Sequence, residues 1–217
     1  MNTIAILGGT GQQGGGLARR FARAGARVVV GSRDPDRARG TVAEWGAISQ
    51  PIEVAGYSDA VAQADVALLA VPFASVDAVL EQLSSSLKSG SVVIDVTVPI
   101  TFVAGKMAML DVAEGSASEH IRARLPGEVG LAAAFKTIPA HLLAAGDESL
   151  DCDELVCGDS DAARASAIAL VKMLPGLRPV DVGPLSRARS IEHLTALAIA
   201  INRRHKIHDA RFRIVGL

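Results

Sequence analysis

The amino-acid sequence predicts an α/β protein: a doubly wound parallel sheet followed by a smaller C-terminal α+β portion. Two observations carry that prediction. Short apolar runs at residues 4–7, 28–30 and 67–71 have the length and β-branched content of strands buried on both faces, and segments with helical spacing separate them. The motif Gly9-Thr10-Gly11-Gln12-Gln13-Gly14 follows the first run directly and opens the first helical pattern.

In that pattern Leu17, Ala18, Phe21 and Ala22 recur at helical spacing, and Gly25 stands where a helix C-cap belongs. The second apolar run stops at Gly31-Ser32-Arg33. Strand, glycine turn, helix and strand make a βαβ unit of Rossmann type. Its chemistry follows from its geometry: the turn points unpaired backbone N–H groups at an anion, and the glycines let a pyrophosphate approach the backbone. Gly9, Thr10, Gly11, Gln12, Gln13 and Gly14 are therefore assigned to a dinucleotide. A lone GxGxxG match is weak, but a preceding strand and a following helix are its confirming context.

The end of the second strand indicates which dinucleotide. A carboxylate there favours the ribose hydroxyl of NAD, whereas a 2′-phosphate needs a cation and hydrogen-bond donors. Ser32 offers a hydroxyl, Arg33 a planar guanidinium, and Arg37 lies one helical turn on, so NADP is preferred. Asp34 reads either as a displaced ribose acid or, with Pro35 behind it, as a helix N-cap; the cap is the preferred reading.

The next elements follow the same alternation. Residues 35–46 suit a second helix, 52–54 a third strand and 57–64 a small helix. The fourth strand, 67–71, ends at Pro72, so Val71 and Pro72 are expected beside the nicotinamide half of the cofactor. Val76, Val79, Leu80 and Leu83 form a helical stripe, and residues 91–95 a fifth strand that leads to Pro99, again at a carboxyl edge. Residues 101–115 lack a period and are expected to be a loop with one irregular helical turn. Ser116 and Glu119 form a capping box for a helix over 116–125, and 129–135 reads as a sixth strand. Its end carries Lys136-Thr137-Ile138-Pro139-Ala140, a third strand end placed to close over the cofactor; Ile138 is included among the binding residues.

The polar cluster Gly146-Asp147-Glu148-Ser149 is the one candidate boundary, giving a dinucleotide-binding domain over 1–146 and a smaller portion over 147–217 that contributes to the acceptor site and to oligomer contacts. Within that portion residues 155–159 read as a strand, 162–174 as a helix, and 177–185 as an edge strand and turn because two prolines interrupt it. Ile191, Leu194, Leu197, Ala198 and Ile201 mark the longest helix, and residues 212–217 are expected to close the chain as a strand.

Composition narrows the function classes. There are 22 basic and 23 acidic residues, so no basic field points to nucleic acid, and 3% aromatics argues against base-stacking platforms. No apolar run approaches the ~20 residues of a membrane span. The first strand begins at once, leaving no room for a targeting peptide, and Cys152 and Cys157 lack a second ligand pair for zinc; a soluble, cytoplasmic protein is expected.

Several segments resemble the NADPH-dependent reductases of coenzyme F420. They are Ile6-Leu7-Gly8-Gly9-Thr10-Gly11, Val29-Val30-Gly31-Ser32-Arg33, Val156-Cys157-Gly158-Asp159, residues 176–185 (GLRPVDVGPL), the segment from Arg187-Ala188-Arg189 through Glu192, Leu194 and Thr195, and the ending Ile201-Asn202-Arg203-Arg204. The similarity covers nearly the whole chain and is weakest over 101–126. It implies an oligomeric cytoplasmic enzyme moving a hydride between NADP(H) and an 8-hydroxy-5-deazaflavin, with Thr10, Ser32, Arg33 and Arg37 holding the adenosine 2′-phosphate.

Members of that family often carry histidine where this chain has Lys136. As a cation at a strand end, Lys136 is the candidate catalytic residue, stabilising negative charge on the reduced pyrimidine ring; the alternative is a surface lysine pairing with solvent. The departure leaves open an NADPH-dependent reductase of another acceptor, such as a flavin, small carbonyl or imine; a third reading is a non-catalytic NADP(H) sensor, whose signature is binding without turnover. Apolar helix faces in the last third suggest a homodimer.

Overall fold

The computed structural model describes residues 3–46, 48–83, 85–103, 105–146 and 148–217. It opens with β1 (Thr3–Leu7), α1 (Gln12–Arg23) and β2 (Arg27–Ser32), the unit expected around the glycine turn. There follow α2 (Pro35–Ala43), β3 (Ile52–Gly56), α3 (Tyr57–Gln63), β4 (Val66–Leu69), α4 (Val76–Leu83) and β5 (Val92–Asp95). The hairpin β6 (Ile100–Val103) and β7 (Lys106–Met109) precedes α5 (Ala117–Arg122), β8 (Gly130–Ala133) and α6 (Ala140–Ala144). The last third supplies β9 (Cys152–Gly158), α7 (Asp161–Lys172), β10 (Leu177–Pro184) and α8 (Ala188–His205).

Eight strands form one sheet in the order β10-β9-β8-β5-β4-β1-β2-β3. The run from β3 to β8 is parallel throughout, so its carboxyl ends share one edge, where ligands bind in such sheets. β9 pairs antiparallel to β8, and β10 lies parallel to β9. The sheet thus runs unbroken into the C-terminal third. Asp147, inside the expected boundary, lies outside the described residues.

Strand alternation assigns each side chain to one of two cores. Ile4, Ile6, Val28, Val30, Leu68 and Ile94 face α1 and α7, packing with Leu17, Phe21 and Leu170. Ala5, Leu7, Val29, Leu69 and Val93 face the opposite layer with Val61, Val76, Leu80 and Ile121. A third, smaller cluster joins Leu155 and Cys157 of β9 to Ala188 and Ile191 of α8.

The helix starts have the predicted chemistry. Asp34 Oδ1 accepts the Arg37 N–H at 3.1 Å with Pro35 in the first helical position, so Asp34 is the cap of α2. Ser116 Oγ accepts the Glu119 N–H at 3.1 Å, and Ser160 caps α7 in the same way. β10 is an edge strand, as its two prolines require, with a register shift between Asp181 and Gly183.

Two expectations are corrected. Residues 101–115 contain the β6–β7 hairpin rather than a loop; neither face of the pair is buried, so no two-residue apolar period marks it. Residues 212–217 form no strand. One backbone bond and several side chains take their backbone groups instead: the Phe212 carbonyl accepts the Asp153 N–H at 2.9 Å, Asp153 Oδ2 accepts the Ile214 N–H at 2.6 Å, and Arg178 donates to the carbonyls of Ile214 and Leu217.

Candidate active site

The glycine turn leaves the N-terminus of α1 open. Its N-cap is Gly11, which has no side chain to offer, and no acidic residue lies in the first turn. The N–H groups of Gly9 and Gly11 close the turn onto Ile6 and Gly8 carbonyls, so the anion is left to the first N–H groups of the helix itself. A Cβ at Gly14 would lie 2.5 Å from the Gly8 carbonyl oxygen. The helix can approach the turn this closely only with glycine there.

Two cavities flank the turn. The first, of about 450 Å³, is lined by Thr10, Ser32, Arg33 and Tyr57 among others. The second, of about 600 Å³, is walled by the strand ends after β5 and β8 and by Thr195, Ala198, Ile199 and Asn202 of α8. Gly11, Ala70, Val71 and Pro72 line both, so the cavities meet at the end of β4. Both volumes fall within the range of small-molecule sites.

The sequence-assigned residues divide accordingly. Gln12, Gln13, Ile138 and Lys136 belong to the second cavity, while Gly9 and Gly14 are buried beneath the turn. Arg37 is exposed on α2 and lines neither cavity. Pro99 is buried and outside both linings; its carbonyl accepts the Leu110 N–H beyond the hairpin. Ser32 lines the first cavity while its hydroxyl bridges both backbone groups of Asp34, at 3.0 and 3.1 Å, which shapes the turn into α2. Burial raises the Tyr57 phenol, and the Arg33 guanidinium opposite partly offsets it.

Lys136 requires a correction. It is neither a surface lysine nor free to face a ligand, because its side chain is wholly buried. Its ammonium donates to Asp95 Oδ2 at 2.6 Å, to Glu192 Oε1 at 3.2 Å and to the Thr97 carbonyl. Those three acceptors match the three protons of an ammonium, leaving none for the acceptor ring. Burial pulls its pKa down, but Asp95 and Glu192 outweigh burial and raise it, so the lysine stays charged. Burial likewise raises Glu192 against the pull of Lys136. The lysine thereby joins β5, the segment after β8, and α8 beneath the second cavity.

The same segment is held from three further sides. Gln13 Nε2 donates to the Phe135 carbonyl at 2.8 Å, linking it to the glycine turn. The Phe135 N–H donates to Glu154 Oε1 at 2.5 Å, and Thr195 Oγ1 donates to the Lys136 carbonyl at 3.0 Å. Phe135 itself has φ of 59°, a left-handed conformation that a bulky residue adopts at a cost of order 1–3 kcal/mol. Burial pushes Glu154 up to about 8, which favours its neutral form. Asp95, Glu154 and Glu192 were not assigned from sequence, although the first two stand out as acids in apolar strands and the third interrupts the apolar stripe of α8.

The chain as a whole is similar to known proteins. The family model for NADP oxidoreductase, coenzyme F420-dependent, matches residues 3–99. The F420-dependent NADP reductase of Methanothermobacter thermautotrophicus is 40% identical over 99% of this chain and 95% of its own length. That of Methanocaldococcus jannaschii is 32% identical over 99% and 98%. A crystal structure of a candidate F420-dependent NADP reductase from Arthrobacter sp. FB24 superposes with a TM-score of 0.85 at 26% identity, covering 99% of this chain and all of the other.

Proposed function

Because the chain belongs to the family of F420-dependent NADP reductases, we infer that it transfers a hydride between NADP(H) and the 8-hydroxy-5-deazaflavin coenzyme F420. The observation that carries this reading in the molecule itself is the meeting of two cavities at Gly11, Ala70, Val71 and Pro72. A dinucleotide laid across the glycine turn has one half in each.

The residues fit such a guest. The uncapped N-terminus of α1 is matched to a pyrophosphate, and Arg33 and Thr10 present a cation and a hydroxyl to a 2′-phosphate in the first cavity. Val71, Pro72 and Ile138 give the second cavity apolar walls that exclude water and hold two rings in stacking register, which is most of what hydride transfer asks of a protein. When bound there, the nicotinamide and the deazaflavin would supply the hydride donor and acceptor. Lys136 acts from below by fixing the segment and the helix that form the cavity walls.

Residues 147–217 are assigned the acceptor wall, through α8, together with oligomer contacts. Exposed Phe102, Val103 and Leu197 support a homodimer. Cys152 and Cys157, buried as free thiols, suit a reducing cytoplasm. The deciding experiment mixes protein, NADPH and the deazaflavin and follows loss of its visible absorbance. NADPH binding without turnover would instead make the protein a sensor.

A further inference from the structure

The wall of the second cavity includes a residue with a buried polar atom that the protein's own bonds leave over. Thr97 lines its wall, yet the buried Thr97 Oγ1 has no hydrogen-bond partner among the described residues. The rest of Thr97 is fully engaged. Its N–H donates to Asp95 Oδ1 at 2.8 Å and its carbonyl accepts from the Lys136 ammonium, so the buried ion pair fixes its backbone on both sides. Buried polar groups are nearly always paired, and a hydroxyl can give one hydrogen bond and accept two. No partner holds this one where it is. A turn about χ1 to another staggered well re-aims Oγ1 without a backbone shift.

Its place in the sheet indicates which ligand group it meets. Thr97 follows β5, whose last residue, Asp95, pairs with Leu69 of β4. Ala70, Val71 and Pro72, just beyond Leu69, are the junction between the cavities. A dinucleotide crossing that junction meets the edge formed by β4 and β5 first, while α8 faces it across the cavity. The polar group carried by its ring is a carboxamide, with one carbonyl acceptor and one NH2 donor, which complements a hydroxyl.

We propose that Thr97 is a specificity-determining residue whose hydroxyl hydrogen-bonds the carboxamide of the nicotinamide ring. This rests on NADP(H) occupying the site as described above. The test is Thr97→Val, titrated with NADPH and with 2′-phospho-ADP-ribose, which lacks the nicotinamide, alongside thermal unfolding of the free protein. NADPH should bind roughly threefold to tenfold more weakly, the range of one neutral hydrogen bond, while the truncated ligand binds as before. The free variant should melt no lower than the wild type, since an unpaired buried hydroxyl has been removed. Unchanged NADPH affinity, or equal weakening of both ligands, overturns the assignment; so does a raised KM for the deazaflavin at unchanged NADPH affinity. Wild-type protein that binds neither nucleotide overturns the underlying reading instead, without reference to Thr97.

Discussion

Lys136 Nζ lies 2.6 Å from Asp95 Oδ2, and neither side chain has any exposure to solvent. Removing one partner from such a pair strands the other charge in a medium that cannot solvate it, at a cost of about 3–5 kcal/mol. Lys136→Met should therefore lower stability by that amount in urea unfolding. Adding Asp95→Asn should recover part of the loss, because one of the two carboxylates left without a cation, Asp95 and Glu192, is then neutral. Losses that simply add in the double variant would show that the pair is not coupled.

Glu154 gives stability a pH dependence with a definite sign. Its folded pKa is pushed up to about 8 from an ordinary 4.5 by burial. Between those values the native state holds a proton that the unfolded chain has released. The contribution is complete below the lower value, falls as pH rises, and levels off above the higher, with a limiting slope of about 1.4 kcal/mol per pH unit. Glu154→Gln keeps an acceptor for the Phe135 N–H and has no proton to lose. Its unfolding free energy should therefore fall less steeply than that of the wild type between pH 5 and pH 8. Parallel curves would remove Glu154 as the source.

Arg33 and Arg37 should separate in their effect on the nucleotide. Arg33 lines the first cavity, whereas Arg37 is exposed and lines neither. Loss of a charge-assisted phosphate contact in Arg33→Ala should weaken NADPH by about 1.5–3 kcal/mol and leave NADH nearly untouched. Arg37→Ala should change NADPH affinity far less. Isothermal titration with both nucleotides decides this, and equal losses of NADPH and NADH in Arg33→Ala would remove the 2′-phosphate from its environment.

Gly14→Ala would put a methyl group 2.5 Å from the Gly8 carbonyl oxygen, a backbone atom with no rotamer to yield. Relief requires α1 to move off the turn, so about 1–3 kcal/mol of stability should be lost together with NADPH affinity. A variant that binds NADPH with wild-type affinity would show that the close approach is not needed.

The local elements were legible because their causes are local. Residues 3–34 give strand, glycine turn, helix and strand from apolar runs and glycine placement alone, and Asp34-Pro35 and Ser116 with Glu119 announce the caps of α2 and α5. Pro179 and Pro184 put β10 at an edge because neither can donate to a second neighbour. The exposed β6–β7 hairpin was hidden because it buries no face and so carries no period.

What the tertiary structure alone decided is the company each residue keeps. Lys136 meets Asp95 across 41 residues and Glu192 across 56, and nothing in its own segment distinguishes a buried ion pair from a lysine in solvent. The reversal of β9, the meeting of the two cavities and the unpaired hydroxyl of Thr97 likewise arise from chain segments brought together by burial of two cores on opposite faces of one sheet. Periodicity encodes which face a side chain takes, and only packing specifies what lies against it.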